Sequence, residues 1–248
     1  MNRGKGLEAD MNRLLALTDV SDTKSDDDVP SLVEGAYAAL RQAIRENVFP
    51  PGHRATEADI ARQLGMSRTP VHEAIIRLQA EGLVQVLSRR GVLICPISAE
   101  DIREIYDVLI AVEGMAASLL AQKPEEERKE AVSSLDAETA RMEKSLEGGD
   151  LVGWAGADEQ FHQLLTELCG NGRLARVSAT VRDQSHRARL YTLHLRRTPV
   201  DSAGEHRAIT SAVESGDADR AEAAARAHRI RARDSLVPLI RQFGMRNM

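Results

Sequence analysis

Four side chains in the second half of the chain have the types and spacing to hold a metal ion. Asp158 and His162 are four residues apart on the stripe Trp154, Asp158, Phe161, Leu165 and Leu168. On a helix they would project from nearly the same face. His206 shares a stripe with Ile209 and Val213, and His228 shares one with Ala221, Ala224 and Ser235. A lone ionised carboxylate on an apolar stripe is costly. One carboxylate and three imidazoles converging inside a helical bundle would suit a divalent ion such as Zn, Ni or Mn. Spacing alone leaves a structural alternative open, in which the histidines are hydrogen-bonded core residues and Asp158 pairs with an inward arginine such as Arg187.

A second set has the chemistry of DNA contact. Ser67, Arg68, Thr69 and His72 stand at the exposed start of an expected helix, and Arg89, Arg90 and Gly91 at the tip of an expected hairpin. Arginines on a narrow hairpin can clamp phosphates or enter a minor groove. The first residues of the second helix in a helix-turn-helix are the ones that touch base edges.

The elements that must position these residues follow from punctuation. Leu32, Tyr37, Leu40 and Ile44 repeat at helical spacing up to Phe49-Pro50-Pro51-Gly52. Thr56 caps a short helix carrying Ile60 and Leu64, and Gly65 makes the turn. Val71, Ile75 and Leu78 form the inward stripe of a third helix, which Gly82 stops. Leu83 to Leu87 and Val92 to Cys95 read as two strands of a wing. Further on, Ser98 with Asp101 opens a helix as a capping box, and Ser202 with Glu205 predicts another. Lys123-Pro124, Gly148-Gly149-Asp150, Gly170-Asn171-Gly172, Thr198-Pro199 and Ser215-Gly216-Asp217 separate the rest. The expected fold is mainly α: a winged helix-turn-helix over 31–97, then an all-α bundle of about six helices over 98–248. Residues 1–30, with one apolar patch at Leu14, Leu15 and Leu17 and an acidic stretch from Ser21 to Asp28, read as a disordered tail.

Composition is consistent with this. Aromatic residues make up only 3% of the 248, which argues against a β-sandwich. Two cysteines exclude a disulfide scaffold and suit a reducing cytosol, and Cys95 and Cys169 read as small buried hydrophobes. No apolar run is long enough to span a bilayer and no signal-peptide core follows Met1, so the expected location is the cytoplasm, with no membrane partner. The chain carries −5 overall, but residues 31–97 hold eight basic and six acidic side chains, which permits a DNA contact there. His53, His186 and His194 have no partner spacing that points to a site.

The run EADIARQLGMSRTPVHEAIIRLQAEGLVQVLSRRGVLI resembles the winged helix of the GntR family of bacterial transcription regulators across nearly all of 31–97. That resemblance implies DNA contacts from Ser67, Arg68, Thr69 and residue 72, with Arg89, Arg90 and Gly91 in the wing. His72 departs from the pattern, since the family usually has arginine there. Residues 98–240 resemble the FCD effector domain of the FadR-like subfamily, in its six-helix, VanR-like form: DIREIYDVLIAVEGMAA, DEQFHQLL, EHRAI and ARAHR occur in that order. In this family an aspartate and three histidines bind a metal in many members, and they correspond to Asp158, His162, His206 and His228. A second departure lies at Leu109, where an arginine usually precedes the glutamate kept here as Glu113. Arg187, Arg189 and Tyr191 are the substitute candidates, with a solvated basic face an equal reading for Arg189.

The expectation is therefore a metabolite-responsive transcription regulator and not an enzyme, with repression the direction the resemblance suggests. It would bind a palindromic double-stranded operator as a homodimer. Its bundle would take a divalent metal and a small organic acid, with Glu113, Arg187 and Tyr191 at the effector. A metal-dependent hydrolase using the Asp/His₃ set, or a metal-free helical interaction module, are the alternatives.

Overall fold

The computed structural model describes residues 31–88, 90–195, 199 and 201–243, with Phe243 by its backbone only. The expected tail over 1–30, the wing residue Arg89 and the break at Thr198 lie outside the described residues. The chain divides into two compact units between Pro96 and Ile97.

The first unit starts with α1 (Leu32–Arg45), followed by the two-residue β1 (Arg54–Ala55), α2 (Glu57–Leu64), α3 (Arg68–Ala80), β2 (Val84–Leu87) and β3 (Gly91–Ile94). Thr56 and Asp59 close a reciprocal capping box on α2, and Gly65 ends it at φ +65°. The tight turn sets α3 directly after α2, as the sequence predicts. Ser67 caps α3 by position and makes no side-chain capping bond. The wing has a third strand that alternation could not show: β3 pairs antiparallel with β2 and, on its other edge, with β1. Two residues are too few to carry a period of two. This edge gives Gly91 a second reason to be glycine. Its φ is +81°, and a Cβ there would stand 2.5 Å from the Ala55 carbonyl oxygen. Leu40, Ile44, Ile60, Val71, Ile75, Leu78, Val84 and Ile94 fill the core. Leu78 is fully buried, so truncating it to alanine would cost about 2–5 kcal/mol.

Six helices form the second unit among the described residues: α4 (Ala99–Ala121), α5 (Glu125–Glu147), α6 (Leu151–Leu168), α7 (Gly172–Tyr191), α8 (Ser202–Ser215) and α9 (Ala218–Phe243), with a 3₁₀ turn at Leu193–Leu195. Caps at Ser98, Asp150 and Asn171 hold the starts of α4, α6 and α7. The capping box expected of Ser202 and Glu205 does not form. Asp201 occupies the N-cap without a side-chain bond, and Glu205 turns to partners on α9. On α9 the stripe holding His228 continues through Ala225 and Leu236, while Ser235 is exposed. The helix packs chiefly along α4, and α6 is set against α5, α7 and α4. One apolar cluster joins Ala117, Leu120, Leu135, Phe161, Leu165, Ile209 and Val213, and another joins Ile102, Tyr106, Leu109, Ala188 and Leu236.

Candidate metal centre and nucleic-acid interface

In the first unit, the packing of α3 decides which residues are presented. Pro70, Val71, Ala74, Ile75 and Leu78 are buried, which leaves Ser67, Arg68, Thr69 and His72 exposed on the opposite face. His72 Nδ1 lies 3.0 Å from Oε1 of Glu57 in the first turn of α2. Arg90 is exposed at the hairpin tip beside Gly91. At the far end of α3, Arg77 stacks over the Tyr37 ring at 3.9 Å and pairs with Glu34 at 2.6 Å. The Tyr37 hydroxyl donates to Glu81 at 2.7 Å. Burial and that carboxylate raise its pKa to about 12, so this brace between α1 and α3 keeps its proton.

In the second unit, α6, α8 and α9 bring Asp158, His162, His206 and His228 together, all buried, with their donor atoms within 4.8 Å of one another. His228 Nε2 stands 3.1 Å from His162 Nε2 and 3.3 Å from His206 Nε2. Asp158 oxygens lie 3.7 Å from His206 Nε2 and 3.9 Å from His162 Nε2. Two nitrogens that share an ion at about 2.1 Å each stand roughly 3.0–3.4 Å apart, so the imidazole spacing fits.

Proton bookkeeping supports a cation as well. His228 Nδ1 faces Glu205 Oε2 at 2.7 Å, and His162 Nδ1 lies 2.8 Å from Glu113 Oε2. A carboxylate only accepts, so His228 Nδ1 carries the proton and its Nε2 presents a bare lone pair, whereas His162 Nδ1 makes no hydrogen bond that would fix its tautomer. That lone pair faces His162 Nε2 across 3.1 Å and His206 Nε2 across 3.3 Å. A proton on a neighbouring Nε2 can serve that one lone pair, whereas a cation can serve all three nitrogens at once. The Glu205 carboxylate behind His228 is also the arrangement that fixes a ligand's tautomer and ring orientation.

Burial is the main cause pushing the His162 and His206 pKa values well below 6.5; Arg229 adds to it at His162, and His228 at His206. Both rings are therefore held neutral, the form that ligates. Burial alone would raise the Asp158 pKa, but Arg189 and the three rings outweigh it and hold the carboxyl well below its ordinary range.

Two arginines pair with the acids around this centre. Arg189 bonds Asp158, and reaches Glu159 at 2.7 Å. Arg229 forms a two-pronged pair with Glu113, one arm at 2.7 Å, and both partners are about 1% exposed. Arg182 and His186 approach Glu159 at 3.1 and 3.6 Å.

Profiles of known families agree with both halves. The gntR family of bacterial regulatory proteins matches residues 32–94, and the FCD domain matches residues 104–231. The chain belongs to the GntR family, with an FCD domain. Similar relatives include an HTH-type transcriptional regulator from the TAR-I ttuE-ttuC′ intergenic region of Agrobacterium vitis, 56% identical over 54% of this chain and 78% of that protein. Another is an HTH-type transcriptional regulator in an unstable DNA locus of Streptomyces ambofaciens, 34% identical over 77% of this chain and 79% of that protein. Among solved structures, a GntR regulator from Rhodococcus sp. RHA1 matches with a TM-score of 0.68 and 25% identity, over 84% of this chain and 99% of that one. The gntR family and these relatives are transcription regulators, not enzymes.

Against that family pattern, several placements differ from sequence expectation. Arg189, and not Arg187, is the arginine on Asp158, and its solvated-face reading is overturned at 3% exposure. Arg187 is buried on the same helix and Tyr191 is half-buried. Glu113, expected at the effector, is held between Arg229 and His162. Glu205 and Arg229 are the positions that sequence reasoning missed. The adjacent buried acids Asp158 and Glu159 point to the buried arginines of α7, since such acids require cations from neighbouring helices, but nothing on their own helices marks Glu205 or Arg229.

Proposed function

We propose that this GntR-family chain is a metabolite-responsive repressor of the cytoplasm that binds a palindromic operator as a homodimer and is released by a small organic acid. The observation that carries the effector half is the convergence of three imidazole Nε2 atoms and one buried carboxylate, a donor set suited to Zn, Ni or Mn. When bound, a divalent ion would supply a net positive charge that attracts an acid.

The chain's own residues have separable tasks. Asp158, His162, His206 and His228 would hold the ion. Glu205 would fix the tautomer of His228, and Glu113, paired with Arg229, would brace the His162 ring from behind. Arg187 and Tyr191 would meet the effector from α7. In the first unit, Ser67, Arg68, Thr69 and His72 would read base edges, and Arg89, Arg90 and Gly91 would place the wing on the backbone or in the minor groove. A coupling of about 1–3 kcal/mol between effector and operator would change operator affinity roughly 5- to 150-fold.

The test has two parts. Metal analysis of the purified chain should find one divalent ion per chain, and His228→Ala should remove it. Calorimetry with a panel of organic acids on metal-loaded and chelated protein should show binding only to the loaded form. Full-strength acid binding by folded, metal-free protein would refute the metal-anchored effector.

A further inference from the structure

His72 stands exposed near the start of α3, and its surroundings decide which edge of the ring it offers. Its Nδ1 lies 3.0 Å from Glu57 Oε1, with the histidine side chain 56% and the glutamate 34% exposed. Glu57 is the first residue of α2, and His72 lies in the first turn and a half of α3. The contact therefore bridges the two helices of the helix-turn-helix. A carboxylate has no proton to give, so the ring proton of neutral His72 sits on Nδ1. Nε2, on the opposite edge of the ring, is left as a bare acceptor in solvent. Arginine at the same place would have only donors.

We propose that Glu57 fixes the tautomer of His72, so that residue 72 accepts a hydrogen bond in the major groove from the exocyclic amino group of adenine or cytosine, where arginine would donate to guanine. The inference rests on the reading that the start of α3 enters the major groove. Adenine N6 and cytosine N4 are the amino donors of that groove, whereas guanine offers only the O6 and N7 acceptors there. Two acceptors face each other unfavourably, so Nε2 of this tautomer disfavours the guanine edge. Glu57 acts as a positioning residue: it touches no base and sets which edge of the ring is the acceptor.

The experiment uses the full-length chain and duplexes recovered from a randomised pool. The recovered site is resynthesised with single bases replaced by analogues lacking one group: purine for adenine, 2-pyrimidinone for cytosine, 7-deazaguanine for guanine. One net hydrogen bond is at stake, so removing the contacted amino group should weaken the wild-type chain about 3- to 10-fold. The matching 7-deazaguanine duplex should leave it unchanged. His72→Arg should reverse the pattern, becoming sensitive to loss of guanine N7 and insensitive to loss of the amino group. Independently, nitrogen-detected NMR of the imidazole should find Nδ1–H in the wild-type chain and a shift toward Nε2–H in Glu57→Gln, whose amide can donate to Nδ1. Glu57→Gln should also lose the amino-group sensitivity while still selecting a site.

An Nε2–H tautomer in the wild-type chain overturns the proposal. So does a selected site that is indifferent to every amino deletion, and in that case the operator reading of α3 still stands. A pool that yields no preferred sequence overturns the operator reading and the proposal together.

Discussion

Replacing Glu205 should separate metal affinity from fold stability. Glu205 Oε2 holds His228 Nδ1 at 2.7 Å, and its other oxygen pairs with Arg231, whose side chain is 54% exposed. The carboxylate itself is 19% exposed, and its two hydrogen bonds outweigh burial to lower its pKa. The arm to exposed Arg231 contributes about 0–1 kcal/mol to folding, whereas leaving the buried His228 N–H without an acceptor would cost about 1–3 kcal/mol. In Glu205→Gln the effect on metal should be larger, because a carboxylate behind a ligating imidazole fixes the tautomer and raises its basicity. Losing such a partner typically weakens metal binding roughly 10- to 100-fold. Glu205→Gln keeps an acceptor but loses the charge, so it should lie near the lower bound. Glu205→Ala loses both and should approach the upper bound. Zinc affinity is read by competition with a chelating dye, and stability by thermal unfolding of the chelated protein. The melting temperature of chelated Glu205→Gln, which keeps an acceptor for His228, should fall by no more than about 4 °C. Unchanged zinc affinity in both variants would refute the orienting role. A large loss of stability without metal in Glu205→Gln would show that Glu205 is a structural residue.

Three further outcomes follow from the same geometry. Arg229→Met strands Glu113 in the interior, so denaturant unfolding should show a loss of about 3–5 kcal/mol; the double variant with Glu113→Gln should recover part of it, and simple additivity would contradict the pairing. In chelated protein, His162 and His206 stay neutral well below pH 6.5, so the unfolded chain binds more protons as pH falls through that value. Stability should therefore drop below pH 6.5 by up to about 2.7 kcal/mol per pH unit, and a flat melting temperature from pH 7 to 5.5 would show that the rings are not held neutral. Arg90→Ala should lower the slope of log affinity against log salt by about one for any duplex, and an unchanged slope would remove Arg90 from the phosphate contacts.

What the sequence disclosed and what it withheld divide along a physical line. The capping residues Thr56, Ser98, Asp150 and Asn171 and the turn glycines Gly65 and Gly216 act within a few residues of themselves, so helix boundaries were legible. The convergence of Asp158, His162, His206 and His228 was partly legible: each faces inward from its own helix, but spacing alone left a structural alternative open, and the family resemblance favoured the candidate metal set. The partners of those members were not, because an ion pair between helices leaves no periodic trace on either one. Arg189 shows this most plainly. It sits two residues from Arg187, so the two project from different sides of α7, and a one-sided helix could bury only one of them. Both are buried, together with Ser178, Arg182, Asp183, Ser185 and His186. The middle of α7 is enclosed on several sides, and its charges are interior charges.

Leu109 follows the same logic. Read alone, it removes an arginine from the wall of the site. In the fold it is a fully buried apolar residue packed with Tyr106, Ala188 and Leu236, and the guanidinium that pairs with Glu113 arrives from α9 as Arg229. The charge next to Glu113 is thus supplied across the α4–α9 contact and not along α4.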